Sequence, residues 1–125
     1  MFIFGVGKTE NLEPKIVTLI EPIKAMGLSV KTNVKTVFRD IPSIGKKYKK
    51  YKDKKGIPNR KEPWNFVAVS KDYNEETGTW EYTLGDVVTS FDAVPKELVS
   101  FEIPAGMYAV FPVRPKNLFV WGFTI

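Results

Sequence analysis

Asp86 sits inside TWEYTLGDVVTS, where Trp80, Tyr82, Leu84, Asp86 and Val88 alternate onto one face of a strand. A carboxylate there has two fates. At a sheet edge or rim it faces water, which is the expected outcome. Under a covering layer it must meet a cation or a hydrogen-bond donor, because an isolated buried charge is costly; it would then be an anionic group at a pocket for cations. The other acids offer less. Glu75 and Glu76 lie at a hairpin tip, Glu81 and Glu102 stand singly, and none can be paired at hydrolase spacing from the sequence. The chain has no histidine and no cysteine. Serine–histidine and cysteine–histidine catalysis, thiolate metal sites and disulfides are thereby excluded, leaving carboxylate, lysine or tyrosine chemistry. No metal and no cofactor is expected. GVGKT at Gly5–Thr9 lacks the first glycine of a phosphate-binding loop, whose place is taken by Phe2.

The stretch KKYKKYKDKKG, residues 46–56, holds seven lysines and one aspartate. Against a total of +5 it carries +6, so the remaining chain is −1. Its tyrosines share a spacing with apolar residues upstream: Ile41, Ile44, Tyr48 and Tyr51 recur at three, four and three, one face of a helix. Val34, Val37 and Phe38 extend that stripe. The lysines between them fan over the solvated side, with stems able to cover apolar surface. Nucleic-acid binding would want aromatics exposed beside the charges, and these tyrosines face the core. Nucleic acid is therefore not an expected partner.

The elements that must position these groups are legible in order. Lys15–Ile20 and Ile23–Thr32 read as strands broken at Glu21-Pro22, with Gly27 marking a bulge or close backbone approach. Asp40 is the expected N-cap of the helix, Pro42 falls in its first turn, and Gly56-Ile57-Pro58-Asn59 ends it. Trp64–Tyr73 and Thr79–Ser90 read as a hairpin around Asn74–Gly78. Leu98–Val113 gives two strand runs split by Pro104-Ala105-Gly106. Arg114–Asn117 is a turn or helix start, and LFVWGFTI is an unfinished apolar element. The chain is one domain's worth of residues and reads as α+β with mainly antiparallel pairing. Nothing in the apolar N-terminus is long enough for a signal peptide or a membrane span, so a soluble cytoplasmic protein is expected.

The ordered set EPKIVTLIEPIKAMGLSV, DIPSIGKKYKK, IPN, WNFVAVSKDY, YTLGDVVTS, VPKELVSFEIPAGMYAVFPV and PKNLFVWG resembles the GyrI-like small-molecule-binding domain, the effector-binding part of many AraC- and MerR-type bacterial regulators. The resemblance runs from about Glu13 to Ile125. It implies a duplicated strand–helix–strand–strand unit forming a curved antiparallel sheet, with a ligand groove among aromatic residues and a carboxylate for cationic drugs. Residues 1–12 would be an extension, 13–90 the first unit and 91–125 an incomplete second unit, cut before its helix and leaving an unpaired sheet edge. Tyr82 and Tyr108 match the family's tyrosines, and Ile44 its apolar helix residue. The next position, usually tryptophan, is Gly45. The family's acidic residue has no counterpart here.

On this reading the groove walls are Phe66, Tyr82, Leu84, Tyr108 and Trp121 with Ile44, and Asp86 is the counter-charge. The chain is expected to bind hydrophobic small molecules, cationic ones included, as a stand-alone sensor or sequestering module of the kind seen in multidrug recognition and transcription regulation. A homodimer would cover the incomplete half, and no membrane is involved. The alternatives are an interaction module, gyrase-directed or working through the basic helix, and a hydrolase of cyclopropane-bearing toxins.

Overall fold

Apolar alternation sets the strands and a 3.6-residue apolar period sets the helix. The computed structural model describes residues 3–4, 15–62, 65–112 and 120–124, with side chains for 15–62 and 65–109. The elements are β1 (Ile3–Phe4), β2 (Lys15–Leu19), β3 (Ile23–Asn33), α1 (Val37–Lys55), β4 (Phe66–Asn74), β5 (Thr79–Val87), β6 (Val99–Ile103), β7 (Gly106–Pro112) and β8 (Val120–Thr124). The protein is α+β, with an antiparallel sheet in the order β2-β7-β8-β1-β4-β5-β3-β6 and, among the described residues, the single helix α1. Trp64 and the Arg114–Asn117 segment lie outside the described residues.

Two bent strands organise the sheet. β2 and β3 are one run broken at Pro22; β6 and β7 are another, broken at Pro104. They pair with each other on both sides of the breaks, Leu19 with Gly106 and Ile23 with Ile103. Proline lacks the N–H that a continuous ladder needs, so both strands turn at the same level. Gly106 takes φ 148°, open to glycine alone, and the Tyr108 hydroxyl donates to the Pro104 carbonyl at 2.6 Å. The sheet curls as a result. On one face Met26, Ala68, Tyr82, Leu84 and Val88 pack against Ile44 and Tyr48 of α1; on the other Val69, Ile103 and Tyr108 gather with Leu19 and Ile23.

Several boundaries differ from expectation. α1 begins at Val37 with Thr36 as its N-cap, not at Asp40. Asp40 lies in the first turn, where a negative charge suits the helix dipole, and accepts from the hydroxyls of Thr36 at 2.7 Å and Thr32 at 2.9 Å. Pro42 is consequently inside the helix and cannot donate to the carbonyl of Phe38. Phe38 leaves the apolar stripe: it lies about 120° round the helix from Ile44 and is 92% exposed. Gly56 (φ 73°) closes the helix by donating to Lys52 O at 2.9 Å. Near the C-terminus the apolar run, read from sequence as an unfinished element, forms strand β8, paired with β7 and β1. Ile3 and Phe4, within the stretch read as an extension, pair with β4 and β8.

Gly27 and Gly85 face each other across β3 and β5. A Cβ on Gly27 would meet Leu84 O at 1.7 Å, and one on Gly85 would meet Met26 O at 2.0 Å. Both obstacles are backbone, so no side chain can yield. Gly27→Ala and Gly85→Ala should each lower stability by about 1–3 kcal/mol, the usual cost of overpacking. Urea denaturation of the two variants checks this, with Gly45→Ala as a control that meets nothing within 4 Å.

Candidate functional site

Asp86 does not face water. It is 1% exposed, beneath α1 at the end of β5. Three groups from two other segments answer its charge. Tyr48 of α1 donates its hydroxyl to Oδ2 at 2.5 Å, Lys52 Nζ lies 3.3 Å from the same oxygen, and an Arg60 guanidinium nitrogen lies 3.2 Å from Oδ1. The Lys52 and Arg60 side chains are 25% and 22% exposed, so the pair of cations reaches from the solvent boundary to a dry acid. Lys52 Nζ also sits 5.5 Å from the Tyr48 ring. Burial first, and then the Asp86 hydrogen bond, push the Tyr48 phenol far above its ordinary range.

The backbone places Arg60. Lys61 N donates to Val87 O, Thr89 N to Asn59 O, and Arg60 bridges Val88, so the loop after α1 is stitched to the end of β5. Sequence reasoning missed both Lys52 and Arg60. Lys52 lies one turn beyond Tyr48, a spacing that puts it beside the buried tyrosine and not on the outer face.

A separate hollow of about 230 Å³ opens between α1 and β3. Leu28, Val30 and Ile44 give it apolar walls, and Ser29, Ser43, Asp40 and Lys47 give it a polar rim. β3 pairs with β5 over Ala25–Asn33 but with β6 only over Ile23–Gly27, so the hollow adjoins a stretch of β3 with one strand neighbour among the described residues. The hydrogen bonds from Thr36 and then Thr32 hold the Asp40 carboxyl below its ordinary range, keeping it anionic.

The residues expected to wall one groove are distributed differently. Ile44 reaches the hollow. Tyr82 and Leu84 are packed in the core under α1, Tyr82 directly opposite Val30 in the β3–β5 register. Tyr108 is sealed in the core on the other face of the sheet. Phe66 is 38% exposed, beside Tyr48 with ring centroids 6.3 Å apart. Trp121 belongs to β8 and its side chain lies outside the described residues. Among the described residues no group of three acids gathers in a way that could hold a metal ion, and no helix is long and apolar enough to cross a membrane.

A family model described as Cass2, integron-associated effector binding protein, matches residues 15–119, which include α1, the hollow and the Asp86 cluster. The chain belongs to the Cass2 family. Among solved structures it is similar to the integron cassette protein VCH_CASS2 from the mobile metagenome of Vibrio cholerae, with a TM-score of 0.55 and 14% sequence identity. The match covers 80% of this chain and 65% of that one, so this Cass2 member spans about two thirds of its relative's length. At that identity the likeness speaks for the fold. No curated protein matches the chain.

Two variants test the Asp86 cluster. Tyr48→Phe should cost about 1.5–3 kcal/mol, the range for a hydrogen bond to a charged group. Asp86→Asn should cost about 3 kcal/mol, at the low end for a broken buried pair because Lys52 and Arg60 can turn toward water. Because the phenol's pKa is raised on folding, its contribution is intact below the ordinary phenol value of about 10 and fades as pH rises through the folded value. Chemical denaturation at neutral and alkaline pH measures both effects.

Proposed function

We propose that this Cass2 member is a small-molecule binding module whose ligand has an apolar body and a cationic group. The observation that carries the reading is the hollow between α1 and β3, with apolar walls on a scale to take a small organic group and a carboxylate held ionised at its rim. The family's description as effector binding supports the same class of function. Leu28, Val30 and Ile44 would take the apolar body, which gains about 25 cal/mol for each Å² withdrawn from water. Asp40 would face the cation. It takes over the role expected of Asp86, which is closed off beneath α1, whereas Asp40 stands at the rim; the Arg39 guanidinium 3.2 Å from its Oδ1 is largely exposed and would give way to the ligand's cation. Tyr82 and Leu84 support the wall from behind, and Phe66 offers a partly exposed ring beside Tyr48. A stand-alone sensor or a sequestering protein would use this site in the same way.

Titration with a planar cationic dye and with an uncharged ring compound of similar size, followed by tryptophan fluorescence, tests the reading. Saturable dye binding is expected. Ser43→Trp, at an exposed position on the rim, should plug the hollow and abolish it. Asp40→Asn should weaken the cation by about fivefold at most, the scale of a solvent-facing charge pair, and leave the uncharged compound unaffected. A folded Ser43→Trp protein that binds the dye as tightly as before would refute the site.

A further inference from the structure

The outer face of α1 combines two features that a merely solvated helix does not need together. The first is charge. Of the eight basic side chains of Val37–Lys55, Lys52 and Lys55 are turned to Asp86 and Glu97 and Lys47 to the hollow, which leaves Arg39, Lys46, Lys49, Lys50 and Lys54 looking outward against Asp53. The second is Phe38. It is 92% exposed, in the same turn as exposed Arg39 and one face along from exposed Lys46, Lys49 and Lys50. At about 100° per residue, Phe38, Arg39, Lys46, Lys49 and Lys50 fall within roughly 120° of the helix circumference, opposite Ile44 and Tyr48. Tyr48 and Tyr51 turn inward, but the aromatic ring that a nucleic-acid face requires is supplied by Phe38.

We propose that this face binds single-stranded nucleic acid. An unpaired base stacks on the Phe38 ring, and the phosphates that follow run along Arg39, Lys46, Lys49 and Lys50. Every base has a π-face and every nucleotide a phosphate, so the binding is tolerant of sequence. From Arg39 to Lys50 the helix rises about 16 Å, the length of roughly five stacked nucleotides. A duplex meets the lysines but hides its base faces from Phe38, so the exposed ring favours the single strand. The hollow lies on the flank of the helix, at Ser43 and Lys47, and the two sites adjoin at Arg39, whose Nε lies 3.2 Å from Asp40 on the rim.

The test is fluorescence anisotropy of a labelled oligothymidylate of about 15 nucleotides, long enough to cover the face, at low salt. Saturable binding is expected, with log K falling against log salt at a slope of about −2 to −3 for three or four phosphate contacts. Phe38→Ala should weaken the single strand by about tenfold and leave the slope unchanged. The triple variant Lys46→Gln, Lys49→Gln, Lys50→Gln should flatten the slope by about 2. All four positions are exposed, and circular dichroism confirms that the variants fold. The proposal is overturned by the absence of saturable binding, by a Phe38→Ala protein that binds as tightly as the parent, or by equal affinity for duplex, heparin and single strand, which would mark a plain polyanion surface.

Discussion

A carboxylate kept from water must be met by positive charge and hydrogen bonds, and here that requirement ties three pieces of backbone together. Asp86 comes from β5, Tyr48 and Lys52 from α1, and Arg60 from the loop that follows the helix. Removing any one of the three donors leaves the acid under-compensated in a dry setting. The helix is thus held on the sheet by directional contacts as well as by the apolar core along Ile44, Leu84 and Tyr82. Hydrophobic packing alone would tolerate a sliding or rotated helix; the fixed geometry of phenol, ammonium and guanidinium around one acid does not. Since the hollow lies between α1 and β3, its width follows from the same anchor.

The periodic part of the structure was readable before any coordinates. The three-four-three spacing of Ile41, Ile44, Tyr48 and Tyr51 gives α1, and Tyr48 is its most deeply buried side chain. The prolines at 22 and 104 divide their strands, and Gly27 marks a close backbone approach whose other half is Gly85. What could not be read is the meeting of groups far apart along the chain. Alternation placed Asp86 on the face with Tyr82 and Leu84 but could not say whether that face was covered; the answer depends on Arg60 and Tyr48, 26 and 38 positions away. Asp40 was misread for a local reason. Aspartate is a favoured N-cap, yet Thr32 and Thr36 both donate to it, which draws it into the first turn instead. The hollow escaped notice because no periodicity announces a gap between a helix and a strand.

Charge is sorted as sharply as hydrophobicity. The whole of the positive excess is on α1, yet its members have different work. Lys52 is turned inward to Asp86, Lys47 stands at the rim of the hollow, Lys55 pairs with Glu97 at 3.6 Å, and the remainder look outward. A single run of lysines in the sequence thus serves at least three surroundings, divided by helical phase and not by composition.

The shared bend of β2–β3 and β6–β7 bears on how the molecule comes to exist. Each long strand crosses from one core to the other, so no contiguous stretch can finish either core by itself. The pairing joins distant parts of the chain, a topology whose assembly is slow because loop closure precedes its reward. During synthesis β2 emerges early and waits for β7, its strand neighbour in the sheet, to be made.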